Sequence, residues 1–167
     1  AQTVFIYHPQ RGHAYVNIST AGLVKCNSAV NEKGIVIGGH FMGFDGTGPR
    51  GLSFTVLEHE IMRGASTIGE AVDIVKRGPR AGAFGFMVAD GARRDAVAIE
   101  ANGESVGLKR MENGVLVLTN FATTAELEKV DLMKRYNLVM RDMFGRYLRL
   151  GELVAAGRGR ITGAMAA

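Results

Sequence analysis

The order of strand-like and helix-like segments in this sequence of 167 residues predicts an α+β fold. Two runs of four strand-like segments are separated by two helix-like segments, and a further helical segment follows the second run. Strands and helices segregated in this way are typical of α+β domains, whereas alternation would indicate a parallel α/β sheet. Since each sheet must be covered on both faces, we expect a four-layer αββα sandwich, with two antiparallel sheets facing each other and helices outside.

The first run is predicted to be a four-stranded antiparallel meander. In its second strand the apolar residues Ala14, Val16 and Ile18 alternate with polar ones, a period of two that marks a half-buried strand. Residues 31–34 (NEKG) are typical of a hairpin turn before the last strand. The four predicted strands span residues 3–8, 13–19, 22–30 and 35–42.

Two helices are predicted after a glycine-rich loop at 44–51. The first spans about 52–63 and has one apolar face at helical spacing. The second begins at a capping box formed by Thr67 and Glu70, and Gly78-Pro79 ends it.

The second run contains four predicted strands with clear turn signals. Asp90-Gly91 and Asn102-Gly103 are typical hairpin turns. The predicted strands span residues 83–90, 95–101, 104–110 and 115–120. A last helix is predicted from apolar residues that recur every three or four positions, namely Leu132, Tyr136, Val139, Met140, Met143, Phe144 and Tyr147.

Length and composition predict one domain over residues 1–167. Hydrophobic residues make up 47% and charged residues 22% of the chain, an ordinary globular balance. The net charge of +4 favours small acidic ligands or a solvated basic face, and the basic clusters lie at turns without interleaved aromatic residues. We expect neither a nucleic-acid nor a membrane partner. A cytoplasmic location is the default expectation, and secretion would follow if a signal precedes the chain.

The sequence offers few residues for metal or thiol chemistry. Cys26 is the one cysteine, which excludes an intrachain disulfide, and its apolar neighbours favour a core position over a reactive thiol. The four histidines are scattered without the short spacings of metal ligands. Phosphate-loop, zinc-protease and serine-hydrolase motifs are missing. We therefore expect no metal and no cofactor.

Polar residues at strand ends are the candidates for chemistry. Asn120 ends an aliphatic run (VLVLTN) where its amide could donate to an oxyanion, a role worth about 3–4 kcal/mol in acyl transfer. The alternative is that Thr119 and Asn120 only cap the following turn. Glu100 and Asn102 leave a similar choice open, since Asn102 also suits its hairpin turn.

The sequence resembles the autoproteolytic acyltransferases related to isopenicillin-N acyltransferase, which are N-terminal nucleophile hydrolases. The resemblance covers roughly residues 5–165 and rests on the order and spacing of several short motifs. The sequence departs from the family pattern at Phe121, where histidine is common. The matching residues are Val30-Asn31-Glu32-Lys33-Gly34, Gly48-Pro49-Arg50, Thr67-Ile68-Gly69-Glu70-Ala71, Asp90, Glu100 and Thr119-Asn120.

The resemblance implies an αββα sandwich and a precursor that cleaves itself before a cysteine. That cysteine then acts as the nucleophile, with its own α-amino group as the base. Asn120 matches the oxyanion-hole asparagine of the family and is the expected catalytic residue. His40, Phe41 and Met42 are expected in the wall of the acyl pocket, although core packing would explain Phe41 and Met42 equally well. The expected substrate-binding residues are Thr119, Phe121, Asn102, Glu100, His40 and Met42.

The resemblance also implies that the site is completed by other segments. The nucleophilic cysteine is expected before Ala1, and Cys26 cannot replace it because it has no free α-amino group. Residues 1–167 are therefore expected to be a fragment of a larger αββα domain and inactive alone. We expect a small acyl substrate and the remaining segments of the same precursor as partners.

Three functions remain open at this point. The first is the core of a cysteine amidohydrolase or acyltransferase that cleaves amide or thioester bonds through an acyl-enzyme. The second is a non-catalytic homologue that acts as a binding or interaction module. The third is a basic nucleic-acid module, whose binding would weaken with salt.

Overall fold

A computed structural model describes residues 1–46, 48–136, 141–162 and 164, without the side chain of Arg141. The strands in these ranges are β1 (Gln2–Tyr7), β2 (Tyr15–Thr20), β3 (Ser28–Asn31), β4 (Ile35–Phe41), β5 (Leu52–Ser53), β6 (Arg80–Ala81), β7 (Phe84–Asp90), β8 (Asp95–Ala101) and β9 (Val106–Arg110). The helices are α1 (Phe54–Gly64), α2 (Ile68–Arg77), α3 (Ala125–Glu128), α4 (Leu132–Arg135) and α5 (Arg141–Gly157). Within the described ranges, no helix is both long and apolar enough to cross a bilayer.

Seven of the described strands form one antiparallel sheet in the order β1-β2-β3-β4-β7-β8-β9, while β5 and β6 form a small parallel pair. The two predicted runs of strands join where β4 pairs with β7, with Ile35 opposite Asp90 and Phe41 opposite Phe84. The predicted α+β class is confirmed. The two runs lie side by side in one layer, however, and do not face each other as two sheets. Alternating residues indicate which side chains share a face, but they do not determine which strands pair.

One face of the large sheet is covered by α1 and α2, and the main core lies between them. The capping box at the start of α2 is confirmed, because Thr67 Oγ1 accepts a hydrogen bond from the Glu70 amide and Glu70 Oε2 accepts one from the Ser66 amide. We call the sheet face beneath α1 and α2 the helix-covered face. Its large buried residues are Ile35, Ile37, Leu57, Ile61, Met62, Val75, Phe84, Phe86, Val88, Val97 and Ile99.

The opposite face, which we call the open face, is covered over only half of its width. The chain after β9 crosses β7 and β8 and buries Leu118, Ala122 and Leu127 against Ala98. The half formed by β1–β4 remains exposed to solvent, although it is apolar. Its exposed side chains include Val4 (61% exposed), Ile6 (68%), Ile18, Val30 and Val36.

The burial of β2 differs from the sequence-based expectation. The apolar residues Val16 and Ile18 lie on the open face, whereas Tyr15, Asn17 and Ser19 are buried beneath the helices. Asn17 satisfies its amide there, since its Nδ2 donates to the carbonyl of Lys25 and its Oδ1 accepts from the amide of Asn27. Polar side chains that are hydrogen-bonded can be buried, so the apolar side of this strand is not the side that faces the helices.

Two further predicted elements differ from the structure. Residues 115–120 do not join the sheet, and only Val115 forms an isolated bridge, to Glu112. This segment crosses the open face instead, so Leu118 is buried by layer packing and not by strand pairing. Where one last helix is predicted, the structure has two helices, α4 and α5. Val139 and Met140 lie outside the described residues.

Candidate active site at the end of β4

Asn120 lies between the end of β4 and α5. Its Nδ2 donates a hydrogen bond to the carbonyl of Phe41 at 2.9 Å, and its Oδ1 accepts one from Nη2 of Arg146 at 3.2 Å. The residue is half-buried. An amide Nδ2 carries two N–H groups, and among the described residues only the carbonyl of Phe41 accepts from it, which leaves one N–H without a described partner.

His40 precedes Phe41 in β4 and points to the open face. It lies opposite Gly85, where a Cβ would meet Met42 and Leu118 on that same face. Its Nδ1 is buried, and within the described part of the chain no hydrogen-bond partner reaches it. Burial, and then the charge of Arg146, lowers the pKa of His40, so the imidazole is neutral near pH 7.

Glu100 anchors the loop that carries Asn120. It lies in register with Gly85, so His40 and Glu100 occupy one row across the sheet. The carboxylate is fully buried. Its oxygens accept hydrogen bonds from the amide and the hydroxyl of both Thr123 and Thr124, at 2.6–3.0 Å. These charge-assisted bonds fix the chain immediately after Phe121.

Asp131 fixes the same loop from the other side. Its Oδ2 accepts a hydrogen bond from the amide of Ala122 at 2.7 Å, and its Oδ1 caps the first turn of α4. One buried carboxylate therefore joins two segments that are nine residues apart. Together with Glu100, it holds the backbone that positions Asn120.

The two neighbours of Asn120 are buried. Thr119 is 1% exposed, and its hydroxyl is 3.4 Å from the carbonyl of Met143 in α5. Phe121 packs against Phe144 and, edge to face, against Tyr147 of the same helix. Both residues therefore fix α5 against the loop, and this contact brings Arg146 to Asn120.

Met42 and Asn102 lie at the same end of the sheet, inside the fold. Met42 is fully buried against Gly85. Asn102 is 1% exposed; its Nδ2 donates to the carbonyl of Asp45, and its Oδ1 accepts from the amides of Glu104 and Ser105. The structure thus gathers all seven sequence-predicted site residues at one sheet end, with Asn120 and His40 only partly buried.

Sequence reasoning missed two charged residues. Arg146 contacts Asn120 although the two residues are 26 positions apart, and nothing in its local sequence indicated this contact. Glu58 is a fully buried carboxyl in α1, with no hydrogen-bond partner among the described residues. Its spacing from Phe54 and Ile61 places it on the apolar face of α1, a signal that could have found it.

The described residues contain no evident nucleophile or metal centre. Cys26 is fully buried, and burial, with a smaller effect of Glu58, raises the pKa of its thiol to about 12. A thiol of that kind is inert because the reactive form is the thiolate. Among the residues that the structure describes, no group of three acidic, histidine or cysteine side chains could hold a metal ion.

Comparisons with known proteins agree with this architecture. A family model described as acyl-coenzyme A:6-aminopenicillanic acid acyl-transferase matches residues 1–158. An uncharacterized protein of Archaeoglobus fulgidus is 26% identical over 109 residues, which make up 63% of this chain and 18% of that protein.

Two solved structures are similar to this chain. A variant of conjugated bile acid hydrolase from Clostridium perfringens aligns with a TM-score of 0.53 and 15% identity, over 73% of this chain and 46% of that one. Penicillin V acylase from Agrobacterium tumefaciens aligns with a TM-score of 0.44 and 19% identity, over 59% and 33%. The chain therefore spans less than half the length of these relatives.

The match over 158 residues is long enough to establish the family, and the bile acid hydrolase alignment supports the fold. The chain belongs to the acyl-coenzyme A:6-aminopenicillanic acid acyl-transferase family, and its fold matches part of that of an N-terminal nucleophile hydrolase.

Proposed function

We propose that this chain is the core of a cysteine N-terminal nucleophile enzyme that cleaves amide or thioester bonds and transfers the acyl group. The observation that carries the proposal is the family match over residues 1–158. The position of Asn120 at the end of β4, with one amide N–H that has no partner among the described residues, supports the choice of residue for the oxyanion.

In the proposed reaction a cysteine thiolate attacks the carbonyl carbon of the substrate, and a carbon–sulfur bond forms. Asn120 donates its free N–H to the oxygen as negative charge develops there. The intermediate collapses, the carbon–nitrogen bond of an amide or the carbon–sulfur bond of a thioester breaks, and the leaving amine or thiolate takes a proton from the α-ammonium group of that cysteine. Water or an acceptor amine then attacks the acyl-enzyme, loses its proton to the same α-amino group and releases the thiolate.

The nucleophile in this proposal comes from another segment of the same polypeptide. Cys26 is unsuitable because it is buried, lies within the chain and has a strongly raised thiol pKa of about 12. We propose that the remaining segments of the precursor also cover the exposed half of the open face, and that the precursor cleaves itself before the cysteine. The exposed apolar patch around Ile6 and Val30 supports such a contact.

We propose direct substrate contacts for Asn120 and His40 and supporting roles for the other site residues. Thr119 and Phe121 hold α5 in place, and Glu100 holds the loop. Met42 is fully buried and supports the end of the sheet. Asn102 supports the adjoining loop, because its side chain is already hydrogen-bonded within the fold.

The test uses the full-length polypeptide that contains this chain. Release of amine or thiol is measured with a panel of N-acyl amides and acyl thioesters, with 6-aminopenicillanic acid as one acceptor, and mass spectrometry follows cleavage of the precursor. Asn120→Ala should lower kcat by about 10²–10³-fold. The control is Asn27→Ala, because the side chain of Asn27 makes none of the described hydrogen bonds. Equal turnover of the two variants would remove Asn120 from the mechanism.

A binding module is the second candidate, favoured by the exposed apolar half of the open face. If the chain is a binding module, the full-length polypeptide should not be cleaved and should not form an acyl-enzyme with any acyl donor of the panel. A covalent acyl adduct on a cysteine would exclude this alternative.

A further inference from the structure

Arg146, a residue of α5, contacts the proposed oxyanion residue Asn120. Its Nη2 donates to Oδ1 of Asn120 at 3.2 Å, and its Nε donates to Oδ2 of Asp142 at 3.0 Å. Asp142 lies one turn earlier in the same helix, so the guanidinium is held in place by its own helix while it reaches Asn120. The side chain is 45% exposed, so it lies at the rim of the site.

The contact determines which way the amide of Asn120 faces. A guanidinium is only a donor and therefore selects the amide oxygen, whereas the carbonyl of Phe41 is only an acceptor and selects the amide nitrogen. Both contacts favour the same orientation. If the amide were reversed, two donors would face each other at Arg146 and two acceptors at Phe41, and the free N–H would no longer point to the same place.

The contact also affects the chemistry of the amide. A hydrogen bond from a cation to the amide oxygen withdraws electron density from the amide, which strengthens its N–H groups as donors. The same cation acts on His40, whose Nδ1 is buried without a described partner. Arg146 is thus the charged group that links α5 to both partly buried residues of the site.

We propose that Arg146 is a positioning residue that fixes the orientation of the Asn120 amide and thereby makes α5 part of the active site. This inference rests on the proposed role of Asn120 in acyl transfer. Arg146 itself touches neither the reacting atoms nor the nucleophile in this scheme, and it acts through Asn120.

The experiment compares Arg146→Ala and Arg146→Lys with Arg149→Ala in the full-length polypeptide. Arg149 is a matched control because it lies in the same helix, is more exposed and pairs with Glu152 instead of Asn120. We expect Arg146→Ala to lower kcat about tenfold with little change in KM, because the Asn120 amide loses the hydrogen bond that orients its N–H toward the developing oxyanion. Arg146→Lys should recover part of the loss, and Arg149→Ala should behave as the wild type.

A second readout does not depend on turnover. In NMR spectra, Arg146→Ala should shift the side-chain amide signals of Asn120 and raise the pKa of His40, whereas Arg149→Ala should do neither. Asn120 signals that do not move in Arg146→Ala would overturn the inference, and so would an unchanged kcat in an otherwise active enzyme. A wild-type polypeptide without turnover on any substrate would instead overturn the proposed function, so the two failures are distinguishable.

Discussion

The carboxyl group of Glu58 packs against Gly39, so closely that a Cβ on Gly39 would overlap Oε1 of Glu58. Glu58 belongs to α1 and Gly39 to β4, one residue before His40. Glycine therefore makes room for a buried acid next to the strand that ends at the proposed active site. Both carboxyl oxygens lie in the core without a described hydrogen-bond partner.

This buried acid should make stability depend on pH. Burial raises the pKa of Glu58 from 4.5 to about 8, against a smaller opposing effect of Lys25. The folded state then holds a proton that the unfolded state loses above about pH 4.5. The stabilisation is full below that pH, declines by up to about 1.4 kcal/mol per pH unit as pH rises, and is lost above about pH 8. Glu58→Gln should remove this decline.

The measurement is urea denaturation of both proteins between pH 5 and pH 9. Other titrating groups contribute equally to the two curves, so the difference in unfolding free energy isolates Glu58. We expect the free energy of unfolding of Glu58→Gln to increase relative to that of the wild type as pH rises. Parallel curves over this range would show that Glu58 does not hold a proton in the folded state.

Gly39→Ala should destabilise the protein by about 1–3 kcal/mol, because the added methyl group forces Glu58 out of its place in a packed core. Gly38→Ala is the matched control, since a Cβ there meets no atom within 4 Å. The free energies of unfolding from chemical denaturation decide the matter. Equal effects of the two substitutions would contradict the close packing of Glu58 on Gly39.

Glu100→Gln should destabilise the protein by about 2–4 kcal/mol and loosen the loop at 121–124. The glutamine amide would present N–H donors to the amides and hydroxyls of Thr123 and Thr124, which need an acceptor. Hydrogen exchange of these backbone amides should accelerate. Glu104→Gln, at an exposed position, is the control, and protection that stays at the wild-type level in Glu100→Gln would disprove the anchoring role.

Cys26 should be unreactive in the folded protein and dispensable for turnover. Its thiol is buried, and its pKa is raised to about 12, so an aromatic disulfide reagent at pH 8 should label it only after unfolding in urea. In the full-length polypeptide, Cys26→Ser should leave kcat within about twofold. Rapid labelling of the folded protein, or loss of the acyl-enzyme in Cys26→Ser, would argue that this thiol is accessible or catalytic.

Local signals in the sequence predicted the local structure well. The capping box at Thr67 and the turn at Asp90-Gly91 depend on neighbouring residues, and both lie where they were expected. The pairing of β4 with β7 depends on residues 43 to 55 positions apart, and no local pattern determines it. The segment 115–120 shows the same limit, because an aliphatic run packs across a sheet as readily as it joins one.

The candidate site was predictable only in part, because local sequence signals identify a residue but not its distant partners. Asn120 stood out because a polar residue ended an aliphatic run, and Glu100 because it shared a motif with the family. The partners that give these residues their geometry are distant in sequence: Arg146 for Asn120, and Thr123 and Thr124 for Glu100. Hydrogen bonds between residues that are distant in sequence are evident only from the three-dimensional structure.

The half-bare sheet has a practical consequence for anyone who handles residues 1–167 by themselves. Valine and isoleucine side chains of β1–β4 meet water beside the unpaired edge of β1. Apolar faces next to free strand edges are sites of self-association. Concentrated or heated samples of this stretch should therefore form aggregates rich in intermolecular β-structure, and polar substitutions at Val4 and Ile6 should delay their appearance.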